Sequence, residues 1–598
     1  MKQRIFDFIF HQRELGLRFI RLSSVTVSAI ALLVLSYYYG FPVSNRTEVM
    51  LGEVFRVIFI YYVASFLLRF VFNYGRWEFI RHNWLEALLT LLILFDGISV
   101  LVFNSSLLYE VLDRLDLEHV ANVYLYIIKL YLLLYVLVEF ARLGPRIIHL
   151  NIKPSLLLIL AFSVLIAAGT IFLMMPEMTA DGRGADFVTA LFTATSAACV
   201  TGHIVADTAT YFSITGQAVI MILMQLGGIG IVTFGMFFAL FSREGVSLKH
   251  SSAMQQLFDA PSLHSAKALL GQVVMVTLTI ELLGFIAVYL LWPPVMEFEH
   301  TGEKLFFSLF HSISGFCNAG FSLFSNGLYE EPLRQAYLLH IVMAGLIFFG
   351  SLGFPAIRDL FSVPRLRERM RFPWKGWEID TRIAVYTSFA LILFGMIIFY
   401  TLEKDNTLAG EGNFGKMVGA LFQSVTARTA GFNTVDIGAV SVPALFLLIV
   451  LMFIGGSSAS TAGGIKTSTF VIIFTSVFAT IRGKKNLEIA NRSVSMDMLL
   501  KAYSIVVFAL SFIIVSIFLL TLTDPGVPFL QLAFEEVSAF CTVGLSTGIS
   551  ADLSVPGKFI LIFSMFVGRV GILTLALALS TLVKTTRYDY PQAHITIG

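Results

Sequence analysis

The 598-residue sequence predicts an all-α polytopic membrane protein: four pseudo-symmetric helix–pore-helix–helix repeats around one central axis, preceded by four extra N-terminal transmembrane helices. Three observations carry that expectation. Hydrophobic residues make up 57% of the chain and charged residues only 13%, against about 25% charged in a soluble domain. Apolar stretches of roughly 20 residues, long enough to cross ~30 Å of hydrocarbon, recur along its length. A short turn between apolar runs appears four times: Ser196-Ala-Ala-Cys-Val-Thr-Gly202, Ser314-Gly-Phe-Cys-Asn-Ala-Gly320, Thr426-Ala-Arg-Thr-Ala-Gly431 and Ser538-Ala-Phe-Cys-Thr-Val-Gly544. A soluble all-α protein would need polar faces on its helices, and these runs have almost none.

Apolar runs near 22–41, 51–72, 84–104 and 120–140 are expected to form an N-terminal four-helix membrane domain, residues 1–150. Lys2, Arg4, Arg13, Arg18 and Arg21 precede the first run without a small-residue cleavage site, so it reads as a retained helix. From Pro154 a triplet repeats: a long run, a short run ending in the turn, and another long run. Its copies are 155–175, 186–198 and 216–241 in repeat 1 (151–265), then 268–292, 304–316 and 335–356 in repeat 2 (266–378). Repeat 3 (379–496) has 382–401, 414–427 and an interrupted 443–481, and repeat 4 with a cytoplasmic tail (497–598) has 500–522, 527–541 and 557–583. The short runs cannot span a bilayer and read as re-entrant helices. Non-helical backbone at membrane depth must be buried in protein or line a watery cavity. The expectation is twelve spanning and four re-entrant helices.

Charge sets the orientation. Arg142–Lys153, Arg243–Lys267, Arg358–Arg382, Arg482–Lys501 and Lys584–Arg587 are basic, whereas Glu110–Glu118, Glu177–Asp186 and Glu297–Glu303 are acidic. The positive-inside rule then places both termini in the cytoplasm of a multi-pass inner-membrane protein, with every re-entrant helix dipping in from outside. A net charge of +2 gives no reason to expect a nucleic-acid partner. Cys199, Cys317 and Cys541 lie three residues before a turn glycine, an odd number at symmetric sites that suits packed thiols rather than disulfides or a metal site. No catalytic constellation or GxxxxGK[ST] loop is present, so neither an enzyme nor a cofactor on this chain is expected.

Rings of backbone carbonyls can replace the hydration shell of a cation such as potassium without fixed charge. Turning carbonyls inward requires backbone angles that glycine adopts cheaply. The candidate filter residues are therefore Cys199, Val200, Thr201 and Gly202; Cys317, Asn318, Ala319 and Gly320; Thr429, Ala430 and Gly431; and Cys541, Thr542, Val543 and Gly544. The short helices would aim their negative carboxyl ends at the axis. Ser196, Ser314, Thr426 and Ser538 are placed to satisfy backbone groups at those helix ends. Arg428, where the other turns have cysteine, is expected to point behind the filter toward Glu535 or Glu536.

These turns, SAACVTG, SISGFCNAGF, SVTARTAGFNT and VSAFCTVGLSTG, resemble those of the Trk/Ktr/HKT superfamily of potassium transporters over roughly 154–583. The resemblance implies a single-chain pseudo-tetrameric pore taking up potassium, two subunits, and a cytosolic nucleotide-binding regulatory ring as partner. It also implies that a glycine at the position of Gly202 goes with potassium preference. His203 departs from the family pattern, in which a hydrophobic residue follows. It is expected to be a solvated loop residue, the sharper alternative being a pH-tuned outer site.

The candidate gate is Gly455-Gly-Ser-Ser-Ala-Ser-Thr-Ala-Gly-Gly-Ile-Lys466-Thr467, including Gly456, Ser457, Ser458, Gly463 and Gly464. Four glycines beside several hydroxyls suit a flexible intramembrane loop better than a helix. Arg569, deep in an apolar run, must face a cavity or a partner, and is expected to donate to this loop below the filter. The resemblance implies that the two form a gate. Gly227, Gly228, Gly230, Gly350 and Gly353 are expected to allow close helix packing. A symporter coupling potassium to sodium or protons is the alternative, with Glu281, Glu535 and Glu536 the only buried acids to carry it.

Overall fold

The computed structural model describes residues 2–73, 75–84, 86–91, 94–95, 154–241, 263–484 and 486–579. Most of the run 84–104, the whole run 120–140, the basic loops at 142–153 and 584–587 and both chain ends lie outside the described residues.

All four triplets are formed. Repeat 1 comprises α4 (Pro154–Leu173), α5 (Phe187–Ala198) and α6 (Ile214–Phe241), and repeat 2 begins with α7 (Leu263–Leu291), α8 (Thr301–Cys317) and α9 (Tyr337–Leu352). In repeat 3, α12 (Ile379–Glu403) and α13 (Asn413–Thr426) precede a span split into α14 (Val442–Phe453) and α15 (Thr467–Ile481). Repeat 4 has α16 (Met496–Thr523), α17 (Phe529–Phe540), α18 (Val555–Val570) and α19 (Ile572–Leu579). The short helices are α5, α8, α13 and α17. Asp186 starts α5 by accepting from the amides of Val188 (3.1 Å) and Thr189 (3.2 Å), a local N-cap.

Two spans expected to be continuous are broken, each at a glycine in the left-handed region. α9 ends at Gly353 (φ 86°), and α10 (Phe354–Phe361) leaves it at 105°. α18 ends at Gly571 (φ 88°) before α19. A β-carbon strains that backbone, so glycine marks the breaks. Gly353 is thus a bend and not only a packing position.

The re-entrant helices are held by close approach. An ideal Cβ on Gly227 would lie 2.0 Å from Ala198 O, on Gly350 2.0 Å from Phe316 O, and on Gly568 1.7 Å from Phe540 O. In repeats 1, 2 and 4 the second span therefore presses a glycine onto the carboxyl-terminal end of its own repeat's short helix. Repeat 3 has no equivalent contact because its span unwinds at that level.

Ahead of the repeats, α1 (Lys2–Gly40) and α2 (Asn45–Val71) pair through Ser28 and Tyr62, whose hydroxyls are 2.8 Å apart, and the short α3 (Arg76–His82) follows. Arg69 on α2 forms an ion pair with buried Glu86. A short hairpin, β1 (Glu488–Ile489) with β2 (Arg492–Ser493), connects repeats 3 and 4.

Candidate functional site

The four turns converge on one axis and close a ring. An ideal Cβ on Gly202 would lie 2.3 Å from Ala319 O, on Gly320 2.6 Å from Ala430 O, on Gly431 2.3 Å from Val543 O, and on Gly544 2.0 Å from Thr201 O. Each glycine thus abuts the carbonyl immediately before the next repeat's glycine, and the fourth returns to the first. The structure brings together Cys199, Val200, Thr201, Cys317, Asn318, Ala319, Thr429, Ala430, Cys541, Thr542 and Val543, all buried around these glycines. The three cysteines are free.

The backbone repeats as well. Residues two before each glycine have positive φ: Val200 (55°), Asn318 (58°), Thr429 (81°) and Thr542 (50°). The glycines follow at 82°, 69°, 81° and 91°. Non-glycine residues in this region are strained by about 1–2 kcal/mol each, and such strain persists where surroundings enforce it. No sequence signal marks the first set, because valine and threonine are unusual there. In every turn the amide before the glycine donates back to the hydroxyl residue's carbonyl: Thr201 to Ser196 (2.7 Å), Ala319 to Ser314 (2.8 Å), Ala430 to Thr426 (2.9 Å) and Val543 to Ser538 (2.8 Å).

Three of the four hydroxyls expected at the helix ends brace the far side of the turn instead, while buried Ser196 Oγ has no hydrogen-bond partner among the described residues. Ser314 donates to Phe321 O (2.8 Å) and Thr426 to Phe432 O (2.7 Å), while Ser538 accepts from the Gly544 amide (3.1 Å). Both carbonyls follow the turn glycine, so these bonds clamp the extended segment from behind.

The 454–466 loop lies against the deep end of the ring. It is anchored at its mouth, where Gly455 N donates to Ile465 O (3.0 Å) and Thr467 N to Gly456 O (3.1 Å). Ser457 N reaches Ser351 O (2.9 Å), and Thr461 Oγ1 donates to Gly350 O (3.0 Å). A Cβ on Gly463 would sit 2.0 Å from Thr542 Oγ1 and 2.6 Å from Cys541 O, which places the loop under the fourth turn. Gly464 has φ 64°, Ser458 Oγ lies 3.0 Å from Ser468 Oγ, and Lys466 Nζ turns back onto Ala462 O (2.5 Å). Arg569 is buried and donates to Thr461 O of this loop and to Gly227 O of repeat 1 (2.6 Å). One guanidinium therefore ties repeats 1, 3 and 4 together below the ring.

Two expectations are corrected. Arg428 does point behind the ring, but not toward Glu535 or Glu536. Its guanidinium donates to Gly455 O (2.9 Å), a carbonyl the unwound span leaves free where a helix would have used it, and to Ser388 O (3.5 Å) on α12. Glu536 is instead held by Ser564 (2.7 Å). Arg428→Gln is expected to lower the yield of folded protein with little change of ion preference, checked by purified yield and the potassium-to-sodium uptake ratio.

His203 is not a solvated loop residue. It is fully buried, and its Nε2 lies 2.5 Å from Glu535 Oε2, joining the end of the first turn to the short helix of repeat 4. Glu535 also accepts from Ser546 Oγ (3.0 Å), Thr547 N (2.7 Å) and Ser550 Oγ (2.6 Å). A carboxylate inside a re-entrant run was the available signal, since a buried charge needs partners. Its histidine partner is 332 residues away, a separation no local pattern bridges.

A family model described as "TrkH: Cation transport protein" matches residues 152–588, most of the chain. The chain belongs to this family. A TrkH-family protein is a transporter, not an enzyme, and this one is a multi-pass membrane protein by its apolar spans. Similar curated proteins include the Ktr system potassium uptake protein B of Vibrio alginolyticus, 36% identical over 75% of this chain and 95% of that one. The protein of the same name from Bacillus subtilis is 35% identical over 74% and 97%. The potassium/sodium uptake protein NtpJ of Enterococcus hirae is 33% identical over 75% and 98%. Among solved structures, the potassium transporter TrkH of Vibrio parahaemolyticus superposes with a TM-score of 0.58 at 18% identity, covering 82% of this chain and 97% of that one. That likeness concerns the fold. Residues 1–151 precede the segment matched by the TrkH family model.

Proposed function

We propose that this protein takes potassium ions into the cell down their electrochemical gradient, through the ring of carbonyls formed by the four turns. The observation that carries this reading is closure: Thr201 O, Ala319 O, Ala430 O and Val543 O each meet the neighbouring repeat's glycine, in sequence around one axis. Such a ring offers oxygens to a dehydrated cation without a fixed charge to trap it. A membrane potential contributes about 2.3 kcal/mol per charge per 100 mV, enough to drive inward flow. The names of the relatives, potassium uptake proteins, support the choice of ion. Glu281, Glu535 and Glu536 are each already held by donors of the protein, which favours simple permeation over a proton relay. Two copies of the chain and a cytosolic nucleotide-binding ring are the proposed assembly; the words "Ktr system" in relatives' names fit a transporter of several components.

The loop and Arg569 act as the gate in this reading. Arg569→Ala leaves two buried carbonyls without their donor, at about 1–3 kcal/mol each. If 1.4 kcal/mol of that falls on the closed state alone, the open population rises about tenfold. Potassium uptake into liposomes should therefore rise in Arg569→Ala and in a chain lacking part of 456–463. Unchanged or abolished uptake in both, at normal expression, removes the gate from the proposal. The wider function is tested by expressing the chain in cells that lack potassium uptake: restored growth at low potassium is expected, and no restoration despite membrane insertion contradicts it.

A further inference from the structure

A short amphipathic helix at the end of repeat 2 presents a surface that permeation does not use. α11 (Val363–Arg371) follows α10, which leaves the spanning α9 at 105° and therefore runs across the membrane direction. Asp359 on α10 accepts from the amide of Glu378, the residue capping α12 (3.0 Å). Arg365 bridges Glu378 (2.6 Å) and Asp359 (3.6 Å). These bonds fix α11 at the height where the spanning helix α12 begins.

On α11, Val363, Leu366 and Met370 share one stripe by their spacing of three and four. All three are exposed, Met370 at 75%, and Phe361 before them and Trp374 after them (78%) are exposed too. Arg367 and Arg371 flank the stripe on one side and Arg369 lies on the other, while Glu368 takes the opposite face and pairs with Lys375. Among the described residues Arg367 and Arg371 have no carboxylate partner; Arg371 lies 5.6 Å from the Phe372 ring centre. An apolar stripe flanked by guanidinium groups, held at the end of a span, has the form of a helix lying in the bilayer interface. Guanidinium forks match phosphate oxygens, and positive charge there selects anionic lipid.

We propose that α11 and Trp374 form a docking surface for anionic phospholipid, its acyl chains meeting Val363, Leu366, Met370 and Trp374 and its phosphate meeting Arg367 and Arg371. The surface is wired to the loop under the ring. Phe354 N, the first amide of α10, donates to Ala459 O (3.2 Å), and a Cβ on Gly353 would lie 2.6 Å from Ser458 O. Lipid seated on α11 thus bears on the loop through α10, a consequence that rests on the gating proposal, whereas docking itself does not.

The test uses the full chain in liposomes containing brominated phosphatidylglycerol or brominated phosphatidylcholine. The Trp374 fluorescence is isolated as the difference between wild type and Trp374→Phe, since the chain has five tryptophans. Quenching of this component is expected from both lipids, with phosphatidylglycerol preferred. In Arg367→Gln/Arg371→Gln the preference should fall about fivefold per charge removed. A Trp374 component that neither lipid quenches, as for a surface reserved for an acidic protein partner, overturns the proposal. Equal quenching by the two lipids overturns it as well. Both arginines are exposed, so the double variant keeps its fold and the comparison stays interpretable.

Discussion

Alanine in place of Gly544 is expected to remove nearly all potassium uptake while the protein still inserts. Its Cβ would sit 2.0 Å from Thr201 O and 2.9 Å from Thr201 C, both backbone atoms that cannot swing aside. The φ of 91° adds strain for any residue with a β-carbon. Overpacking of this kind costs about 1–3 kcal/mol. Relief has to come from displacing the Thr201 carbonyl, the oxygen proposed to face the ion. The same substitution at Gly202 or Gly431, each 2.3 Å from its neighbour's carbonyl, should be somewhat milder, and at Gly320, 2.6 Å away, mildest. Uptake of potassium and sodium into liposomes by the four variants, normalised to protein incorporated, checks both the size and the order. Wild-type uptake in Gly544→Ala would mean that the ring is not the route.

Glu535→Ala is expected to be the most damaging change to the outer side of the ring. It removes the acceptor of His203 Nε2 (2.5 Å), Ser546 Oγ (3.0 Å), Thr547 N (2.7 Å), Thr547 Oγ1 (2.9 Å) and Ser550 Oγ (2.6 Å) at once. Of these donors His203 Nε2 and Ser550 Oγ are buried and those of Ser546 and Thr547 part-buried. Orphaned buried donors cost about 1–3 kcal/mol each, a large share of the ~5–15 kcal/mol by which a domain is stable. The variant should accumulate poorly. Glu535→Gln keeps an acceptor oxygen and should fold, with the first turn held less firmly and sodium discriminated less well. His203→Leu removes one donor only and should fold. Because His203 and Glu535 meet directly, the two effects should fail to add in the double variant, by about 0.5–3 kcal/mol. Normal yield and selectivity in Glu535→Ala would contradict a bracing role for this carboxylate.

The fold was largely legible because its signals are periodic. Run lengths and the recurrence of Gly202, Gly320, Gly431 and Gly544 define four units before any coordinate is known, and a ring follows from the requirement that irregular backbone at membrane depth be enclosed. Arg569 was legible for a similar reason: an arginine in an apolar span must find acceptors, and the nearest surplus of free carbonyls is the glycine-rich loop. What escaped was set by tertiary context. The left-handed Val200 and Thr542 oppose their own propensity and are imposed by their neighbours. Whether Gly353 packs or bends depends on what approaches it. Arg428 and Glu535 both needed partners, but only the folded chain decides that Arg428 takes backbone carbonyls and Glu535 takes His203. Residues 1–150 show the opposite limit, since hydropathy marks spans there without indicating what they do.

Reversal potential with potassium and sodium exchanged across liposomes containing the purified chain distinguishes the possible mechanisms. A carbonyl ring that conducts potassium predicts a reversal potential that follows the potassium gradient and is indifferent to an imposed proton gradient, and a potassium current that persists when sodium is removed. A reversal potential that moves with the proton gradient at fixed potassium and sodium, or a potassium current that disappears without sodium, would contradict passive permeation through the ring and require coupled transport.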